Sequence, residues 1–124
     1  MPDSDVIAQR VARNQATFRS ANEQIEAAAE EIGTDLPRIP FICECPDIAC
    51  TQTVRLPRGD YEAVRTDSTH FLVKPGHEVC VVGGEEVARI HSRRDDYTVM
   101  EKIHEAGEEA ARLDERNHET ADVE

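Results

Sequence analysis

The chain has 124 residues, 26 acidic and 14 basic, with a formal net charge of -12, 4% aromatic residues and no Trp. That is the size of one ordinary domain whose core rests on a few aliphatic segments, and the charge excludes a general nucleic-acid binder, which holds phosphates with Lys and Arg. No apolar run approaches the roughly 20 residues of a membrane span, and the opening MPDSDVIAQR lacks the basic-then-apolar order of a signal peptide, so a cytoplasmic protein is expected.

Charge is unevenly spread. Residues 39–103 carry eleven acidic and eight basic side chains, whereas residues 104–124 carry eight and two. The middle is balanced as a folded domain should be, and the acid excess belongs largely to the end of the chain. The expected organisation is an N-terminal amphipathic helix over 1–35, a small α+β domain over 36–103, and an acidic helix or tail over 104–124.

Ile7, Val11, Asn14, Phe18, Ala21, Ile25, Ala28 and Ile32 follow one another at alternating spacings of four and three. This heptad seam predicts a long N-terminal helix with Asn14 as its one polar interruption. Asp3 or Ser4 can cap its start, and Gly33 with Pro37 marks its stop. Two arrangements fit. The helix can bind a protein partner or a second copy of the chain, with Asn14 setting the register, or it can lie on the chain's own sheet with Asn14 at the margin.

The middle predicts a small antiparallel sheet with one short helix. Ile39, Phe41 and Ile42 open it, and Thr51 to Leu56 alternates as a strand. Asp60 can cap a short helix carrying Tyr61 and Val64, and Phe71 to Val73 is a further strand ended by Pro75-Gly76. Val79 to Val82, Gly83-Gly84 and Glu86 to His91 read as a hairpin, because a Gly-Gly loop permits the positive φ angles of a tight turn. Tyr97 to Lys102 follows the polar turn Arg93 to Asp96. Beyond it, Ile103, Ala106, Ala110 and Leu113 offer the one apolar face of a frayed helix that passes into a solvated acidic end.

The cysteines carry the chemical signal. Cys43, Cys45 and Cys50 lie within eight residues, and His77 with Cys80 forms an H-x-x-C pair. Clustered cysteines in a reducing compartment are more often metal ligands than disulfides, and tetrahedral sulfur and nitrogen donors are the pattern of structural Zn2+. Pro46 and Asp47 can fold the chain back so that three sulfurs converge. For the fourth position, His77 after the Pro75-Gly76 turn is favoured, giving Cys43, Cys45, Cys50 and His77; Cys80 in its apolar strand is the reserve.

FICECPDIAC, DYEAVR, HFLVKPGHEV and YTVMEK, preceded by the helix segment Asn14 to Glu23, are similar to a group of small actinobacterial proteins with an F-x-C-E-C…C, EY-x-x-VR and PGH pattern. The resemblance spans about residues 10–103 and implies His77 as the partner of the three cysteines. The chain departs from the pattern at Gln15 and Ala21, where that helix has Glu and Val, and in the additional Cys80. The group has no established activity, so the resemblance implies no reaction.

Three other chemistries compete. A metal-dependent hydrolase would need an open coordination position and a base such as Glu44 or Glu62, yet three thiolates make a poor Lewis acid. A Cys80 nucleophile would need His77 or His91 beside it and a third orienting group. A thiol-based redox or metal sensor would use Cys43 and Cys45 as oxidation targets. The expected function is a non-catalytic regulatory or adaptor protein with a Cys3His zinc site, acting through its N-terminal helix.

Overall fold

The computed structural model describes residues 4–32 and 37–116. The fold is α+β: α1 (Ser4–Ile32), β1 (Ile39–Ile42), β2 (Thr53–Leu56), α2 (Arg58–Arg65), β3 (His70–Val73), β4 (Val81–Val82), β5 (Glu85–Glu86), β6 (Ala88–Arg93), β7 (Thr98–Lys102) and α3 (His104–Leu113). The expected single sheet is divided into three antiparallel ones, β1-β2, β3-β7-β6 and the two-residue hairpin β4-β5. The three segments that composition separates share one core, in which Ala8 and Val11 of α1 and Ala106 of α3 join Phe41, Leu56, Tyr61, Leu72 and Met100.

The Gly83-Gly84 turn forms as its residues demand, with φ of 58° and 82°. The strands it joins are shorter than the sequence pattern. The N–H groups of Val87 and Ala88 both donate to the Cys80 carbonyl, at 2.8 and 3.3 Å, and the chain then leaves the hairpin to pair β6 with β7. Burial explains the departure: Val87 and Ala88 are almost fully enclosed, and an extended hairpin would carry them away from the core.

α2 begins differently from its expected cap. Pro57, extended at φ -62° and ψ 151°, precedes the first turn, where its missing N–H matters least and its fixed φ suits helix entry. Asp60 lies inside that first turn and accepts from the Tyr97 hydroxyl at 3.2 Å. From the same helix Tyr61 stacks on Phe41, with ring centroids 4.2 Å apart and planes 8° from parallel. With so few aromatics, this pair anchors α2 to β1.

α1 buries a stripe that differs from its apolar seam. The enclosed positions are Ala8, Val11, Ala12, Gln15, Arg19, Asn22 and Glu26, about 100° around the helix from the seam, while Ile7, Phe18, Ala21 and Ile25 lie on its flank, half-buried. Polar heads are enclosed here because each finds a partner. The Asn22 amide donates to the Ile42 carbonyl at 2.8 Å and its oxygen accepts from the Ile42 N–H at 2.7 Å, so it pairs with β1 as a strand residue would. Arg19 donates to the Ser68 carbonyl at 2.7 Å and the Ala110 carbonyl at 3.0 Å, and its guanidinium lies 4.4 Å from the Phe71 ring centre. Ala110 is in the last turn of α3, where carbonyls lack helical partners. Asn14 donates to the Pro46 carbonyl at 3.4 Å, reaching the cysteine loop. Asp3 and Gly33, the expected start and stop signals, lie outside the described residues, as do 117–124 of the acidic end.

α3 is docked along α1 rather than frayed through this stretch. At its other side Gly107 lets α3 start close against the end of β7, because a Cβ there would sit 2.7 Å from the Lys102 carbonyl oxygen. Just past the helix, Asp114 is buried against Arg65, with oxygen-to-nitrogen distances of 2.8 and 3.2 Å. Among the described residues no helix is long and apolar enough to cross a membrane.

Candidate metal centre

Hydrogen bonding carries the chain beyond β1 between two sheets. The Cys43 N–H donates to the Gln52 carbonyl at 3.0 Å and the Glu44 N–H to the Leu72 carbonyl of β3 at 2.7 Å. In such a stretch successive side chains take opposite sides. Cys43 and Cys45 face one way, and Glu44 turns the other way into the protein, toward α1 and β3.

The return to Cys50 is made by Asp47. Its side-chain oxygen accepts from the Ala49 N–H at 2.9 Å, and its carbonyl accepts from the Cys50 N–H at 3.0 Å, a turn of the type Asp favours. His77 enters from the far end of β3. Gly76 adopts φ 96°, a conformation that L side chains rarely take, and the His77 N–H donates to the Lys74 carbonyl at 2.9 Å. Glu78 braces this turn, accepting from the Gly76 N–H at 3.0 Å and from the Thr98 hydroxyl at 2.7 Å.

These elements bring one donor atom each from Cys43, Cys45, Cys50 and His77 within 4.8 Å of one another, a geometry compatible with a metal site. His77 Nδ1 lies 3.7 Å from Cys43 Sγ and 3.6 Å from Cys50 Sγ. A tetrahedral Zn2+ with ordinary bond lengths would set a sulfur-to-nitrogen edge of about 3.6 Å. Cys80, the reserve ligand, does not join the group; it is half-buried against the core.

The surroundings suit thiolates held by a cation. Burial pushes the Cys43 thiol up to about 12, opposed by hydrogen bonds from the Lys74 and Cys45 N–H groups; the Lys74 N–H lies 3.2 Å from its sulfur. Cys45 is likewise raised by burial and opposed by the Asp47 N–H. Peptide donors aimed at sulfur are the supporting contacts thiolate sites use, and a metal displaces the remaining proton. Lys102 adds a second sign. Its ammonium is buried without a hydrogen-bond partner among the described residues, and burial lowers it to about 7, with Cys80 and Cys45 acting in the opposite sense. Three thiolates and a divalent ion carry a net negative charge, which would favour the ammonium form of Lys102 again.

Neither expected base lies free at this centre. Glu44 is fully enclosed: one oxygen accepts from the Leu72 N–H at 2.9 Å and the other from the Asn22 amide at 2.8 Å. Burial raises its pKa, while these bonds and the nearby Arg19 and Arg65 oppose the rise. Gln15 completes the arrangement by donating to the Glu44 carbonyl at 2.7 Å. Glu62 lies on α2, paired with Arg116 at 2.8 Å. The sequence reading missed Glu78, Thr98, Gln15 and Asn22 as supports; the one available signal was polar residues at 15, 19, 22 and 26, spaced as one helical stripe.

No protein-family model, curated protein or solved structure matches this chain. The class defined by fold and site is therefore a small α+β protein with a Cys3His cluster.

Proposed function

We propose that this is a non-catalytic regulatory or adaptor protein of the cytoplasm, stabilised by Zn2+ on Cys43, Cys45, Cys50 and His77 and acting through protein contacts of α1, with a partner or a second copy. The convergence of four donors within 4.8 Å carries the metal half of this reading. Three sulfurs and one imidazole fill a tetrahedral shell and leave no position for water, which is the structural rather than the catalytic pattern. The contact half is supported by the apolar flank of α1, where Val6 is exposed and Phe18 and Ile25 are half-buried. A second reading, a redox or metal sensor, has one observation in its favour: Cys50 is the half-exposed sulfur of the three.

Metal analysis beside a thiol titration under denaturing conditions tests the site. One zinc per chain with four reactive thiols is expected; no metal and fewer than four thiols would transfer the cysteines to redox chemistry. His77→Ala should weaken zinc retention while Cys80→Ala leaves it unchanged, and the opposite ranking would overturn the ligand set. For the contact half, a concentration-dependent dimer by sedimentation that Phe18→Ser abolishes would support self-association. A strict monomer would confine α1 to other partners.

A further inference from the structure

The central strand of the three-stranded sheet, β7, carries Glu101 between His70 of β3 and Arg89 of β6. The register of β6 on β7 slips between Ile90 and Ser92, which leaves His91 as the extra residue of a bulge. Bulges re-aim side chains, and here the His91 ring lies against His70, with centroids 4.3 Å apart. Asp67, just before β3, completes the cluster.

The two carboxylates are held in a particular way. Asp67 Oδ1 accepts from the Thr69 N–H at 3.0 Å and the Thr69 hydroxyl at 2.8 Å. Glu101 Oε1 accepts from Arg89 Nε at 2.6 Å. Their second oxygens both face His70: Nε2 is 3.6 Å from Asp67 Oδ2 and 3.9 Å from Glu101 Oε2. Those separations are too long for ordinary hydrogen bonds and suit atoms that share an ion placed between them.

We propose that Asp67 Oδ2, His70 Nε2 and Glu101 Oε2 form a second divalent-cation site, flanked by His91. Two carboxylates and an imidazole select an ion that accepts oxygen and nitrogen, of the Zn2+ or Co2+ class, in contrast to the sulfur-rich set at Cys43. Three protein donors leave positions for water, so this site is exchangeable where the Cys3His set is closed. The two clusters stand at opposite ends of β3, since Lys74, whose N–H meets the Cys43 sulfur, is four residues past His70. The proposal does not depend on the function given above.

Protein carrying one equivalent of Zn2+ is titrated with Co2+ and followed by visible absorption and calorimetry. Uptake of one further equivalent is expected, with weak ligand-field bands and without sulfur-to-metal charge transfer. His70→Ala and Glu101→Gln should each weaken this uptake tenfold or more at an unchanged thermal midpoint. Arg89 is exposed, so Arg89→Gln tests the site without burdening the fold; freeing Glu101 Oε1 and removing a positive charge should tighten binding severalfold. Absence of the second equivalent, or an affinity indifferent to all three variants, would overturn the proposal. Failure of the Cys3His reading would look different: intense charge-transfer bands absent when Co2+ is added to metal-free protein, with the weak bands still present.

Discussion

On one side of the Cys43-Glu44-Cys45 segment, two sulfurs meet Cys50 and His77; on the other, a carboxylate meets Asn22 of α1 and the backbone of β3. Both sides enclose polar atoms that would destabilise the fold if left unpaired. The inner side is completed by the chain itself, through hydrogen bonds from Asn22 and Leu72 with Gln15 on the adjoining carbonyl. The outer side gathers donors alone, and in the metal reading it is completed by an ion. One segment thereby joins the cysteine corner to a hydrogen-bonded polar belt, and variants separate the two.

The largest effect is expected from the outer side. With zinc bound, chelation or Cys43→Ser should lower the thermal midpoint by about 15 °C or more, since binding free energy at such sites is folding free energy. A scan with and without chelator measures it, and an unchanged midpoint would detach the cluster from stability. Next is the far end of the belt, where Arg65 and Asp114 are both almost fully enclosed. Asp114→Ala leaves a buried guanidinium without its main partner and should destabilise by about 3–5 kcal/mol, read from the urea midpoint.

Glu44→Gln should act more mildly, by about 1–3 kcal/mol. The amide keeps an acceptor for Leu72 N–H but sets an NH2 group against the Asn22 amide, which is already committed to Ile42. Zinc content should remain one per chain; its loss would mean that the two sides are not separable. The smallest effect concerns pH. Glu26 is raised from 4.5 to about 7, by burial first and then by neighbouring Glu62. The folded form therefore binds the proton more tightly than the unfolded form, so Glu26 favours folding below about pH 4.5 and that contribution is lost as pH rises toward 7. Glu23 and Asp114 are held below their ordinary values, so their contributions instead fade on acidification. Paired unfolding curves of wild type and Glu26→Gln, both metal-loaded, should diverge between pH 4.5 and 7; parallel curves would contradict the shift.

Local signals were legible where one residue type has one structural use. Gly83-Gly84 makes the tight turn, and the alternation of Thr53 to Leu56 makes β2. The three clustered cysteines were also readable as a donor set, because sulfurs at such short spacings have few other uses. The buried face of α1 was not. Gln15, Arg19 and Asn22 look like part of a solvated stripe until carbonyls of the cysteine loop, α3 and β1 are brought against them, and Glu26 does so until Arg58 meets it. The division of β5 from β6 was equally hidden, because it follows from the burial of Val87 and Ala88 rather than from a turn residue.

By itself the sequence determined the α+β class, the long first helix and the cysteine loop, since periodicity, glycine pairs and ligand spacing are local properties of the chain. Tertiary structure alone decided which face of that helix is enclosed, that Glu44 belongs to the interior, and that His77, 27 residues beyond Cys50, reaches the sulfurs while Cys80 does not. Each of these depends on a polar atom meeting a partner distant in sequence, and a local pattern cannot encode where that partner will be.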